Sequence, residues 1–381
     1  MRLGWRLVPR TEPSRLWSVA SPLLALALTV AGGVLLFVAL GKDPVQGLDM
    51  FFVQPVRDAY AVGELLLKAT PLLLIALGLA VSFRSNVWNI GAEGQFILGA
   101  VAATGVALTA TPESSRWIVL PVLLAGVAGG MAWAGVTALL RDRFHANEIL
   151  VSLMLVYVAE QVLGYLVFGP WKDPMGYNYP QTRLFEPATQ MPLLMQGSRV
   201  SIGLPIALVG ALVLWAYLFR TRAGFAQQVG GLAPAAARYA GFSSRRALWV
   251  AMLVSGGAAG LAGALEVAGP VGQLTPHVPA GYGFAAIIVA FVGRLHPVGM
   301  VLSSLLMSMF YIGGELAQSR LGLPKSITGV FQGLLLFMLL ACDTFIQYRL
   351  QGRGAVAAAA DAGADASNAE SAGAAAGAGE A

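Results

Sequence analysis

The sequence predicts an all-α fold, a polytopic bundle of about ten membrane-crossing helices. Three observations predict it. Of the 381 residues, 57% are hydrophobic and only 11% are charged, where a soluble domain carries about 25% charged residues. Apolar runs of about twenty residues, the length that crosses a hydrocarbon core, recur along nearly the whole chain. Those runs mostly lack the polar face that a helix on a soluble protein keeps.

The spans fall at 17–40, 65–83, 88–110, 117–140, 148–168, 200–219, 248–268, 283–293, 297–317 and 326–346. The first comes after Arg2, Arg6, Arg10 and Arg15, a basic start that resembles a secretory leader. Its apolar run, Leu16 to Leu40, is too long for a leader and lacks a clear small-residue cleavage site, so it reads as a retained helix. The eighth span is too short to cross in simple form. It begins inside the Gly-rich run 269–283, or it is a broken helix. Ten spans divide into five and five, and a repeat of odd length inserts its second copy upside down, so the layout admits an inverted repeat.

Charge orients the bundle. With the N-terminus in the cytoplasm, alternation puts most of the 24 Lys and Arg on the cytoplasmic side and brings both termini there. Trp17 and Trp249 at cytoplasmic span starts, and Trp117 at an outer one, suit the interfacial aromatic belt. Lys68 lies inside the second span near its outer end, where it can snorkel. The expected organisation is a cytoplasmic tail at 1–16, a transmembrane domain at 17–350 and a disordered cytoplasmic tail at 351–381. That last tail is almost wholly Ala, Gly, Ser, Asp and Glu, with nothing large and apolar to anchor it. Two connections are long: the outer 169–199, rich in Pro, Tyr and Gln, and the basic cytoplasmic 220–247.

Several function classes drop out. Cys342 is the only cysteine, so the chain forms no internal disulfide and no cysteine metal cluster. His145, His277 and His296 are far apart in sequence. The net charge of +5 reflects arginine kept on the cytoplasmic side, not affinity for nucleic acid. No GxxxxGK[ST] phosphate loop, HExxH or GxSxG occurs, so nothing supports catalysis or ATP binding by this chain, and no cofactor is expected in it.

Two polar segments interrupt the apolar pattern. SNVWNIGAEGQF, Ser85 to Phe96, sets Asn86, Asn89, Glu93 and Gln95 among two glycines at the start of a span. Polar groups at membrane depth find protein partners or line water, so the segment is either a capped helix start or a solute-lining site. RDRFHANE, Arg141 to Glu148, opens the fifth span. There Asn147 suits a helix cap and Glu148 the positive helix end, with a solute site as the other reading. Glu160 and Gln161, further along that span, are expected to face the bundle. In the basic connection, Pro234 suits the first turn of a helix and Gly241 its end. Between them Ala236, Ala237, Arg238 and Tyr239 make a short helix, suited to docking in another protein or simply part of a positive-inside loop. Gly256 and Gly260, and likewise Gly126 and Gly130, have the small-xxx-small spacing of closely packed helices.

These same segments resemble the permease subunit of a bacterial ABC importer, in the branched-chain amino acid and simple-sugar permease superfamily, nearest its nucleoside branch. The resemblance covers roughly residues 60–346. Asn89–Phe96, NIGAEGQF, matches that branch's most recognisable motif. His145–Ala159, Gly169–Pro174, Pro180–Thr182, Val229–Phe242, Ser255–Gly263 and Gly281–Gly299 resemble further blocks. One departure stands in the coupling segment, where the family's Asn-Pro pair is replaced by Leu232-Ala233, with Pro234 one place later. The resemblance implies a subunit of the inner membrane that forms the pathway for a small polar solute, a nucleoside or simple-sugar-type molecule. It implies ABC ATPase subunits that bind MgATP, a second and different permease subunit, and an extracytoplasmic substrate-binding lipoprotein. Asn86, Asn89, Glu93, Gln95, Asn147 and Glu148 would then serve the pathway, and Pro234, Ala236, Ala237, Arg238, Tyr239 and Gly241 the coupling to the ATPase. The rival expectation is an ion-driven carrier, whose mark would be several intramembrane acids gathered into one site; Glu93, Glu160, Glu266 and Glu315 are the acids available.

Overall fold

Each of the ten apolar spans folds as a helix, but two are short. The computed structural model describes residues 5–9, 15–194 and 197–352, so all but the first two residues of the predicted disordered tail 351–381 lie outside the described residues. Among the described residues, eight helices are long and apolar enough to cross a membrane. They include α1 (Arg15–Ala39), α3 (Ala59–Arg84), α5 (Val119–Phe144), α6 (Glu148–Phe168) and α7 (Gly203–Arg220). The others are α10 (Ser244–Glu266), α12 (Pro297–Leu321) and α13 (Ser326–Gln347). The short pair are α4 (Ala92–Ala107) and α11 (Tyr282–Val292). At 1.5 Å per residue they reach only about 24 and 16 Å, short of a bilayer core of about 30 Å. The sequence predicted the second of these breaks and read the first as a full span. The remaining helices are α2 (Pro44–Leu48), α8 (Arg222–Leu232) and α9 (Pro234–Tyr239).

Residues 33–332 form one compact unit. Within it α10 lies against α3, α4 and α5, while α3 lies against α10, α11 and α12. The pairing is reciprocal: α10 contacts the short α4 and its successor α5, as α3 contacts the short α11 and its successor α12. Glycine permits the tightest of these contacts. A Cβ on Gly130 would lie 2.1 Å from the Gly256 carbonyl oxygen, and one on Gly260 would lie 2.2 Å from the Gly126 carbonyl oxygen. The two small-residue motifs are therefore each other's partners, and close van der Waals packing replaces the hydrophobic drive that lipid cannot supply.

The described residues within 1–32 and 333–352 form the second unit. In its described part, Trp17 packs on Phe345 with ring centroids 5.2 Å apart, and the Ser21 hydroxyl donates to Asp343 at 2.7 Å. A two-stranded antiparallel pair, β1 (Trp5–Pro9) with β2 (Tyr348–Gly352), joins the chain ends. The sequence reading held no strand there, since five residues beside a membrane span carry too little pattern to separate strand from tail.

Candidate functional site

The site is built where the two short helices meet. After α3, Ser85 turns its hydroxyl back to the Val81 carbonyl at 2.7 Å, and Asn86 takes a left-handed conformation with φ of 52°. Asparagine is among the few residues that adopt it readily. Trp88 then packs against Phe83 and Phe291, with centroids at 5.5 and 6.2 Å. Asn89 locks the start of α4. Its amide nitrogen donates to Gln95 Oε1 at 2.9 Å and to Ser255 Oγ at 2.8 Å, while its oxygen accepts from Gln95 Nε2 at 2.9 Å and from the Gly91 N–H at 3.1 Å. Asn89, Glu93 and Gln95 are all buried. The Ile90 N–H donates to Ser152 Oγ at 3.3 Å, which ties the break to the first turns of α6.

Glu93 sits in the first turn of α4, and its carboxylate crosses to the start of α11. Oε1 accepts from the Gly281 N–H at 2.9 Å and Oε2 from the Gly283 N–H at 2.5 Å. The carboxylate therefore lies between two helix N-termini, both positive in partial charge. An ionised acid in hydrocarbon costs about 2–3.5 kcal/mol. Two charge-assisted hydrogen bonds at about 1.5–3 kcal/mol each offset it. The approach is so close that a Cβ on Gly283 would lie 2.2 Å from the Glu93 backbone nitrogen. Tyr282, next in α11, stacks edge-on against Phe96 and Tyr311 with centroids at 5.9 and 5.2 Å, and Tyr311 donates to the Ala280 carbonyl at 3.1 Å.

Toward the other end of α3, Lys68 pairs with Glu315 at 2.7 Å, and Arg199 pairs with Glu64. Hydrogen bonding to Glu64 raises the Arg199 guanidinium above its ordinary pKa, so it stays charged. The acids do not gather into one cation site: among the described residues no group of three or more His, Cys, Asp or Glu is placed to hold a metal ion. Asn147 and Glu148 lie apart from this cluster. Asn147 caps α6, accepting from the Ile149 N–H at 2.9 Å, and Glu148 pairs with Arg141 at 2.6 Å. Glu160 and Gln161 differ from expectation. They are exposed, because Ser152, Val156, Ala159, Leu163 and Val167 occupy the inward face of α6 at helical spacing.

The chain matches the family model for the permease component of the branched-chain amino acid transport system over residues 61–340. It belongs to that family of permeases. It is a transport subunit, not an enzyme. The glucose ABC transporter permease protein of Haloferax volcanii is 32% identical over 92% of this chain and 94% of its own. The guanosine ABC transporter permease protein of Bacillus subtilis is 29% identical over 90% and 99%. The nucleoside ABC transporter permease protein of Lactococcus lactis is 29% identical over 89% and 95%. No solved structure matches the permease.

The basic connection of the permease is two helices, not one. Thr221 caps α8, accepting from the Gly224 N–H at 3.0 Å, and Pro234 opens α9. Ala237 points inward and is fully buried, while Pro234, Ala236, Arg238, Tyr239 and Gly241 are exposed. Gly241 takes φ of 76° and ends the turn. The helix α8 is tied to the end of α3. Arg84 donates to Gln228 at 3.4 Å and to the Leu295 carbonyl at 2.9 Å, and a Cβ on Gly231 would lie 1.7 Å from the Ser85 carbonyl oxygen. Sequence reasoning missed α8, Ser152, Ser255 and the pair Gly281 and Gly283. Only the Gly-rich run around the last pair carried a local signal.

Proposed function

We propose that the permease forms the translocation pathway of an ABC importer for nucleosides or related sugar-containing solutes. The observation that carries the reading is the junction of α4 and α11, whose N-termini meet on Glu93. Broken helices opposed end to end are a recurring way to build a polar site at membrane depth. Full-length similarity to guanosine, nucleoside and glucose permeases supports the solute class. Asn89, Gln95 and Glu93 hold the break, their hydrogen bonds satisfied inside the chain. Asn86 supplies its turn, while Asn147 and Glu148 fix the start of α6 away from the break.

In this reading α9 docks on an ATPase subunit that binds MgATP, while this chain binds no cofactor. Pro234, Ala236, Arg238, Tyr239 and Gly241 face the ATPase, and Ala237 anchors the helix from behind. Motion of α9 passes through α8 and its contact with Ser85 to the first break. A second, different permease completes the pathway, and an extracytoplasmic lipoprotein delivers the solute. The protein sits in a bacterial inner membrane with both termini cytoplasmic; basic loops on one side and the pairing of the chain ends support this.

The test is co-purification in mild detergent and then ATP-driven uptake of radiolabelled guanosine and glucose into proteoliposomes. The expected result is a complex with an ATPase and a second permease, and uptake that needs ATP. Ala237→Pro removes the hydrogen bond from the Ala237 N–H to the Ala233 carbonyl and breaks α9. It should leave the complex hydrolysing ATP while uptake falls at least tenfold. Uptake by the lone chain without ATP would sink the reading.

A further inference from the structure

The face of α6 that points away from the bundle exposes Leu150, Met154, Val158 and Phe168, and among them it carries an acid and an amide. Tyr157, Glu160, Gln161 and Tyr165 succeed one another at helical spacing along a single stripe, from the middle of α6 toward its C-terminal end. All four are exposed, Tyr157 to 57% and Tyr165 to 72%. None has a hydrogen-bond or ion-pair partner among the described residues, whereas Asn89, Glu93 and Gln95 are each fully engaged. An acid turned toward hydrocarbon without a partner is rare in a membrane helix; such groups almost always face a bundle interior or water. Contrast α7, where the strongly exposed Leu208, Val209, Leu212 and Val213 give the surface that lipid requires. The other face of the same helix packs on α4, where a Cβ on Gly94 would lie 3.1 Å from the Val156 Cα, so the stripe begins beside the junction of the two broken helices.

We infer that Tyr157, Glu160, Gln161 and Tyr165 line the solute path and contact the solute directly, with the second permease covering the stripe from across the path. The inference rests on the proposed importer function and assigns its solute-contacting residues. The chemistry fits a nucleoside or a sugar. Glu160 accepts hydrogen bonds from ribose or sugar hydroxyls, Gln161 both donates and accepts, and the two tyrosine rings offer flat faces for a base or a pyranose. A site that expects such hydrogen bonds rejects an analogue lacking them, because its own polar groups are then left unpaired.

The test uses the assembled transporter in proteoliposomes. In a Cys342→Ala chain, cysteine is placed singly at 157, 160, 161 and 165, with Leu212→Cys as the lipid-facing comparison. Labelling by a charged, membrane-impermeant methanethiosulfonate is tracked on this chain by mass, with and without guanosine or glucose. We expect modification at the four stripe positions and not at 212, slowed at least fivefold by a transported solute. Protection by glucose alone would overturn the nucleoside assignment and leave the stripe standing. Absence of labelling at the stripe, or labelling that neither solute slows, would overturn the inference. A second pair of variants reads the same site without cysteine. Glu160→Gln, which removes a charged acceptor, and Tyr157→Ala, which removes a ring face, should each raise the half-saturating solute concentration about tenfold, with complex yield unchanged. Wild-type half-saturation in both would count against it.

Discussion

The two broken helices differ in where the instructions for the break are written. The first, before α4, is held largely by its own residues: a left-handed Asn86, the Asn89 amide paired with Gln95 six positions on, and Gly91 bonded to Asn89. Only Ser255 and Ser152 come from elsewhere. The second, before α11, has no side-chain cap of its own. Its N-cap is Gly281, with φ of 79°, and the carboxylate that satisfies its N–H groups belongs to Glu93, nearly two hundred residues earlier in the chain. One break is a local motif; the other is a receptor for that motif. The asymmetry means that damage at Glu93 should disorder α11 more than α4, and damage at Asn89 the reverse.

The largest expected effect comes from Glu93→Ala. It leaves the N–H groups of Gly281 and Gly283 without acceptors, at about 1–3 kcal/mol each. Hydrogen exchange should rise over 281–286 more than over 92–97, and uptake should fall to background. Glu93→Gln keeps a carbonyl oxygen for one of the two and should lie between. If exchange rises equally over both segments, the dependence of the second break on the first is wrong.

Asn89→Ala comes next. It strands the Gln95 amide and the Gly91 N–H, about 1–3 kcal/mol for each group that finds no new partner. Its exchange signature should centre on 89–96 and spare 281–286. A lowered melting temperature of the purified complex is the companion readout, and an unchanged one would show that Gln95 and Ser255 re-pair without it.

The smallest effect is expected from Asn86→Gly. Glycine adopts the left-handed conformation at least as readily, and Asn86 is exposed, so melting temperature and uptake should stay within error of wild type. Asn86→Val, by contrast, forces a β-branched residue into that region at about 1–2 kcal/mol. Equal behaviour of the two variants would mean that the turn, unlike the Asn89 lock, does not specify the first break.

The sequence carried much of this. NIGAEGQF was legible as a polar interruption because Asn, Glu and Gln inside an apolar run have no cheap place in a membrane. The paired glycine motifs at 126 and 130 and at 256 and 260 were legible as helix contacts because their spacing has one physical use. The end points of α9 were legible from Pro234 and Gly241. Other features were not. Glu160 and Gln161 were expected to face inward, since polarity alone says only that a residue avoids lipid. Whether it turns to the bundle or to a water-lined path depends on which face Ser152, Val156 and Ala159 bury. The helix α8 carries little apolar periodicity and is held by side-chain bonds to carbonyls of α7 and α10, which no local window contains.

The amino-acid sequence by itself determined the membrane class, the number and order of the apolar helices and the position of its most polar interruption. Each derives from composition, length or charge within a window of about twenty residues. Tertiary structure alone decided that Glu93 closes the start of α11, that the two glycine motifs meet each other, and that the hydrogen-bonding stripe on α6 points outward. Those are contacts between residues far apart in the chain, and helical periodicity fixes the spacing of a face but not what the face meets.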